Sequence, residues 1–435
     1  MAQISVERLA DLSAERRKAI VSRSMEDVSA IFGEVRDTVL AVRDRGDAET
    51  IEHYTKLKSD ISASDLRATE AEIQAAYEVV APEVVEHLRL AARNIETFHR
   101  AQVEREMWAI EVMPGVLAGR MTRALDAVGC YVPGREATYP SSVLMTILPA
   151  KVAGVERVYA CTPPNKGMVA NPATLVAADI AGCDGVFKIG GPWGVASFAY
   201  GTEAVPKVDK IVGPGNKYVT AAKMAVFGIV DIDSPAGPSE VLILADGTAN
   251  PEWLAIDFLS QIEHDRDAAA VLVTPDARLA EATAAAINKR LETVPRREIV
   301  FAALEANSAI LVVDSLAEAI DFTNEYATEH LEVVTEEPMS VLPKLKHAGS
   351  IFLGPYAPVP IGDYASGTNH VLPTGQCARM FSGLSVDDFV KRPTFQLVSR
   401  EGLAALAPTV LALSQAEGLP LHGETVRVRM AEGDR

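Results

Sequence analysis

Two stretches constrain this chain more than any other, 128–200 and 239–313, where short apolar runs alternate with alanine-rich segments. In the first, Val128–Val132, Val155–Cys161 and Gly185–Ile189 are set among Ser142–Ala153, Pro172–Ala181 and Gly194–Tyr200. In the second, Val241–Ala245, Ala270–Thr274 and Ala309–Val313 are separated by Pro251–Glu263 and Leu279–Thr293. The short runs have strand length and the segments between them have helix length. That alternation, at parallel-sheet spacing, predicts an α/β chain with two doubly wound units.

The flanks read differently. Residues 1–32 look like a helical preface, with Leu9, Leu12, Ile20, Val28 and Ile31 at loosely helical intervals. Val35–Tyr54 and Glu70–Val103 repeat apolar positions every three or four residues, as amphipathic helices do. Thr69 followed by Glu72 predicts a capping box. Ala101–Met121 alternates like paired strands, and 385–435 reads as a helical pair ending in a short strand, Val426–Met430.

With 435 residues and 48% hydrophobic content, the chain can build two or three cores. A net charge of −18 argues against nucleic acid or an anionic membrane as partner. No apolar run reaches the ~18 residues of a membrane helix. Met1–Arg23 has no apolar signal core, so a cytoplasmic protein is expected. The four cysteines (Cys130, Cys161, Cys183, Cys377) include no Cys-x-x-Cys pair. That fits a reducing compartment and leaves any metal to nitrogen and oxygen ligands.

Polar residues concentrate in a few places. Gly362-Asp363-Tyr364-Ala365-Ser366-Gly367-Thr368-Asn369-His370 follows the strand-like run Ser350–Gly354. It reads either as a surface turn or as a ligand loop, since its glycines allow close backbone approach. Gln261 and His264 share a helix face, which suits either a metal or a solvated helix end. Glu329-His330 precedes strand-like Leu331–Val334, where a base and a water activator would fit; an exposed helix end is the alternative. Ser239 lies beside a Gly-Pro turn without a nucleophile elbow. His422 alone looks like a surface histidine, and His53, His87, His99 and His347 receive no role. No Gly-x-Gly-x-x-Gly follows a strand.

Taken together, these pieces resemble the histidinol dehydrogenase family. The resemblance rests on Gly129–Gly134 with Tyr139–Ser142, Lys210–Asn216, Ala236–Glu240, Ser260–His264, Glu329–Leu331, Gly362–Pro373 and Glu417–His422, in order along nearly the whole chain. It implies two incomplete Rossmann-like domains of aldehyde-dehydrogenase-like type with small helical ends. The expected division is 1–32 as an N-terminal segment, 33–127 with 239–384 as the larger domain, 128–238 as the NAD domain, and 385–435 as a tail swapped to the partner subunit. It also implies a zinc site of Gln261, His264, Asp363 and His422, the last crossing from the partner of a homodimer. His330 is then the base and Glu329 the water activator in a two-step, NAD-linked oxidation of L-histidinol to L-histidine. Ser239, His370 and Glu417 match substrate contacts, with Glu417 also crossing the interface, and Tyr131, Trp193 and Asn216 match NAD contacts.

Three positions depart from the family pattern. Val359 stands where most members have a substrate-contacting glutamate, Trp193 stands where a glutamine is usual, and Arg135-Glu136 replaces small residues. Related dehydrogenases that oxidise other polar alcohols, such as a sulfonated propanediol, share the Val359 pattern but not Tyr139–Ser142. They are the alternative reading.

Overall fold

The computed structural model of the chain describes residues 3–23, 28–57, 61–134, 138–234 and 237–431. Arg135 and Glu136 lie outside the described residues. The chain divides into two compact units, 1–102 with 126–389, and 103–125 with 390–435.

The first unit contains both expected parallel sheets. One has six strands in the order Val6–Arg8, Ser308–Val312, Ala269–Thr274, Glu240–Ala245, Thr328–Val334, Ala348–Leu353. The other has five, in the order Gly185–Phe187, Arg157–Cys161, Ala127–Tyr131, Lys210–Val212, Asp231–Ile232. Apart from the edge strand Val6–Arg8, the chain in each sheet starts centrally, steps twice to one side, then crosses to the other, which is the doubly wound arrangement. The central strands are mostly apolar because helices cover both faces. Thus Val241, Ile243 and Leu272 pack on Leu254, Phe258 and Ile287, while Leu242, Leu244 and Val271 pack on Phe322 and Tyr326.

Several expectations need correcting. Within the N-terminal preface, Ala14–Ser22 and the start of Ser29–Arg45 are helical and Leu9–Asp11 is a 3-10 turn, but Val6–Arg8 is a strand, paired parallel to Ser308–Val312 at the sheet edge. Three residues carry too little periodicity to reveal a strand. The helices Ser29–Arg45 and Asp47–Lys56 contribute Val35, Val39, Val42 and Tyr54 to the core of the five-stranded sheet, beside Phe198, Ile211 and Val219. Residues 29–56 therefore pack with 128–238, while Asn94 and His99, further along, reach the 362–370 loop of the expected larger domain. Their apolar stripe was legible, but not the sheet it would meet. Thr69 does form the capping box, its hydroxyl accepting from Glu72 N–H while Glu72 accepts from Thr69 N–H at 2.7 Å.

The second unit is an antiparallel sheet ordered Thr394–Val398, Val116–Met121, Met107–Met113, with helices Arg400–Ala416 and Pro420–Ala431. Val426–Met430 is thus helical, not a strand. The Val-Arg-Val-Arg alternation misleads, because burial follows Gly423 and Val426, three apart. Trp108, Ile110 and Val112 on the strand Met107–Met113 are exposed, as are Leu397, Leu413 and Leu421.

Candidate active site

Glu329 and His330 open the strand Thr328–Val334 and are buried, so neither lies at an exposed helix end. The neighbouring strand begins with Glu240, and Val241 lies opposite His330. The pair therefore sits at the N-terminal edge of its sheet, opposite to the edge where such sheets usually bind ligands.

Backbone groups orient the pair. Glu240 N–H donates to Glu329 Oε2 at 2.9 Å. His330 Nδ1 lies 3.1 Å from the Glu240 carbonyl, which can only accept, so Nδ1 carries the proton and donates. Nε2, the remaining ring nitrogen, is 3.6 Å from Asp363 Oδ1, and Glu329 Oε2 is 3.3 Å from Nδ1. Burial alone would lower the basicity of His330; Glu329 and Asp363 overcome it and raise the imidazole well above its ordinary value.

The glycine-rich loop supplies the opposite wall. Asp363 is the penultimate residue of the short helix Val359–Tyr364. Burial would raise its acid, but the facing His330 imidazole and the nearby His370 and His264 imidazoles hold it below the ordinary value. His370 is lowered by burial despite Asp363. Its Nδ1 donates to the Asp363 carbonyl at 3.0 Å, so Nε2 accepts from Ser142 Oγ at 3.0 Å. Gln261 is buried on the helix Pro251–Ile262, and its Nε2 has no partner among the described residues. His264 follows, its N–H on the Gln261 carbonyl. Ser239 precedes Glu240, and its carbonyl accepts from Ala269 N–H at 3.1 Å. Among the described residues, no three His, Cys, Asp or Glu side chains converge as one metal-binding group. Glu417 and His422 belong to the second unit, where both are exposed.

The other predicted contacts gather at the C-terminal edge of the five-stranded sheet. Tyr131 ends the central strand, and its hydroxyl accepts from Gly191 N–H at 2.9 Å. Trp193 lies in the first turn of Gly191–Tyr200, stacked on His53 with ring centroids 3.6 Å apart. Asn216 caps Lys217–Val226, its Oδ1 accepting from Tyr218 and Val219 N–H. Tyr131 and Asn216 flank the point where the winding reverses, between the strands Ala127–Tyr131 and Lys210–Val212.

Sequence reasoning missed three contributors. Glu240 was hidden as one acid opening an apolar strand. His99, set aside, is fully buried; its Nδ1 lies 2.8 Å from the Ile95 carbonyl and its Nε2 3.5 Å from Asn369 Nδ2 of the glycine-rich loop. His53, also set aside, covers one face of the Trp193 indole.

Val359 is buried among Phe258, Leu259 and Phe352, and its N–H donates to Glu332 Oε1 at 3.0 Å. Glu332 Oε2 has no partner among the described residues. Burial, reinforced by the Asp257 carboxylate, raises the Glu332 acid from 4.5 to about 8. The extra proton stabilises the fold fully below the unfolded value and is lost as pH rises through about 8. Wild-type melting temperature should therefore fall between about pH 6 and pH 9. Glu332→Gln, which cannot ionise, should lose less over that range; equal losses in thermal melts would rule the assignment out.

The histidinol dehydrogenase family model matches residues 21–430. The histidinol dehydrogenase of Methanocaldococcus jannaschii is 48% identical over 98% of this chain and 98% of its own length. That of Heliobacterium mobile is 49% identical, covering 94% and 95%. The crystal structure of the Elizabethkingia anophelis histidinol dehydrogenase superposes with a TM-score of 0.91 at 38% identity, covering 100% of this chain and 99% of the other.

Proposed function

The chain belongs to the histidinol dehydrogenase family, and from that premise we propose that it oxidises L-histidinol to L-histidine in two NAD-linked steps at a zinc-dependent site. The observation carrying this reading is the buried His330 imidazole, its Nδ1–H fixed by the Glu240 carbonyl and its Nε2 facing Asp363, a proposed zinc ligand, at 3.6 Å. Identity near one half over the whole chain favours histidinol over the sulfonated alcohol, whatever Val359 and Trp193 alter.

Gln261, His264 and Asp363 suit zinc: an amide, an imidazole and a carboxylate held ionised, with Gln261 buried and its amide only partly satisfied. His422 of the other subunit completes the set. When bound, the metal supplies a Lewis acid that orients and polarises the substrate alcohol. Tyr131, Trp193 and Asn216, at the winding reversal of the five-stranded sheet, would hold NAD, which would supply the hydride acceptor.

His330 Nε2 takes the hydroxyl proton in the first oxidation. Glu329 then activates the water that adds to the aldehyde, and His330 serves again as base in the second oxidation. Ser239, His370 and Glu417 bind the substrate; the Ser142 and Asp363 contacts keep His370 neutral and aimed. Burial of the pair keeps the aldehyde from bulk water between steps.

The working form is a cytoplasmic homodimer joined through the second unit. Its exposed Trp108, Ile110 and Val112, alternating along one strand, form the kind of surface a partner covers. The test is NADH formation from L-histidinol by zinc-loaded protein. Two NADH per substrate, with histidine as product, is expected; absence of turnover by a zinc-containing dimer would overturn the reading.

A further inference from the structure

Glu240 is buried, and all of its polar groups are engaged around the catalytic pair. Its N–H and carbonyl hold Glu329 and His330 as described. Its carboxylate accepts from Glu329 N–H at 3.1 Å and from Gly375 N–H at 3.2 Å. The remaining charge is met by Arg23, at the end of the helix Ala14–Ser22. Arg23 uses all five donors: two on Glu240, two on the carbonyls of Val21 and Tyr326, and one on that of Ala327. Its guanidinium also lies 3.8 Å over the Tyr326 ring.

Backbone strain gathers in this shell. Among the described residues five non-glycines have positive φ, and three of them belong here: Arg23 (30°), Ala327 (51°) and Gln376 (67°). Ala327 immediately precedes the strand that carries Glu329 and His330, and Gln376 Nε2 donates to the Val21 carbonyl at 2.9 Å. Such conformations persist only where surrounding contacts over-determine them.

We propose that Glu240, locked by Arg23, is the positioning residue of the Glu329–His330 pair, so that the N-terminal segment is a working part of the active site. The inference rests on the roles given to that pair above. Glu240 touches no reacting atom in this scheme; it fixes where the carboxylate and the imidazole stand.

The experiment compares wild type, Glu240→Gln, Arg23→Met and Arg23→Lys, each with zinc content and melting temperature measured. Glu240→Gln and Arg23→Met should lower kcat about 10–100-fold and leave KM for histidinol and NAD nearly unchanged. Arg23→Lys, which keeps the charge but not the planar fork, should recover part of the loss. The ¹⁵N signals of the His330 ring, assigned by their absence in His330→Asn, should move in Glu240→Gln and Arg23→Met. Should the methionine variant fail to fold, the lysine and glutamine variants carry the comparison. Unchanged kcat and unchanged His330 signals in folded variants would overturn the proposal. If the wild type fails to oxidise histidinol, the reaction reading falls, and the His330 signals alone decide the positioning role.

Discussion

Replacing His330 with asparagine should cut kcat for histidinol by about 10²–10⁴-fold, the usual worth of a positioned general base. Asparagine is close in size and can still donate to the Glu240 carbonyl, so the strand edge should survive. What it lacks is a basic nitrogen where His330 Nε2 stands, 3.6 Å from Asp363. No neighbouring imidazole is a ready substitute, because His370 has both ring nitrogens engaged, on Asp363 and Ser142. KM should change little, since the lost interaction belongs to proton transfer. Steady-state kinetics with a zinc assay and a thermal melt will check this. A folded, zinc-containing variant within tenfold of wild type would remove His330 from the role of base.

Asp363→Ala should strip the zinc and abolish turnover. Loss of a ligand should weaken zinc binding by more than the roughly 10–100-fold typical of residues behind a ligand. His422→Ala should do the same from the other end of the chain. Mixing the two inactive variants through a dissociation and reassociation step then tests the shared site. If each site takes Asp363 from one chain and His422 from the other, a hybrid dimer has one site lacking both ligands and one site intact. Random pairing should restore about one quarter of wild-type activity. No recovery from verified hybrid dimers would mean that each chain furnishes its own His422.

The parts that were legible in the sequence are those whose physics is local. Strands buried on both faces announce themselves as apolar runs, and helices crossing over them as alanine-rich stretches, so both sheets were visible in 128–313. The glycine-rich loop was visible because Gly362 and Gly367 sit where no Cβ fits: one would lie 2.6 Å from the Phe352 ring, the other 2.6 Å from the Asn94 carbonyl. What stayed hidden depends on partners far away along the chain. Glu240 reads as one acid at the start of an apolar strand, and its counter-ion is 217 residues earlier. The helices of 33–100 declared an apolar stripe without declaring which sheet it would cover. The edge strand Val6–Arg8 has meaning only opposite Ser308–Val312.

That edge strand also sets a timetable. Val6 lies opposite Ile310, and Arg23 closes on carbonyls at 326 and 327. At translation rates of about 5–20 residues per second, the segment Val6–Arg23 waits roughly 15–60 s for its partners to emerge. These pairings cannot form until residues 310–327 exist, and contacts of such separation are slow to form. Val6–Arg23 are thus made long before they can settle, and a chain released before about residue 330 lacks the complete setting for its catalytic pair.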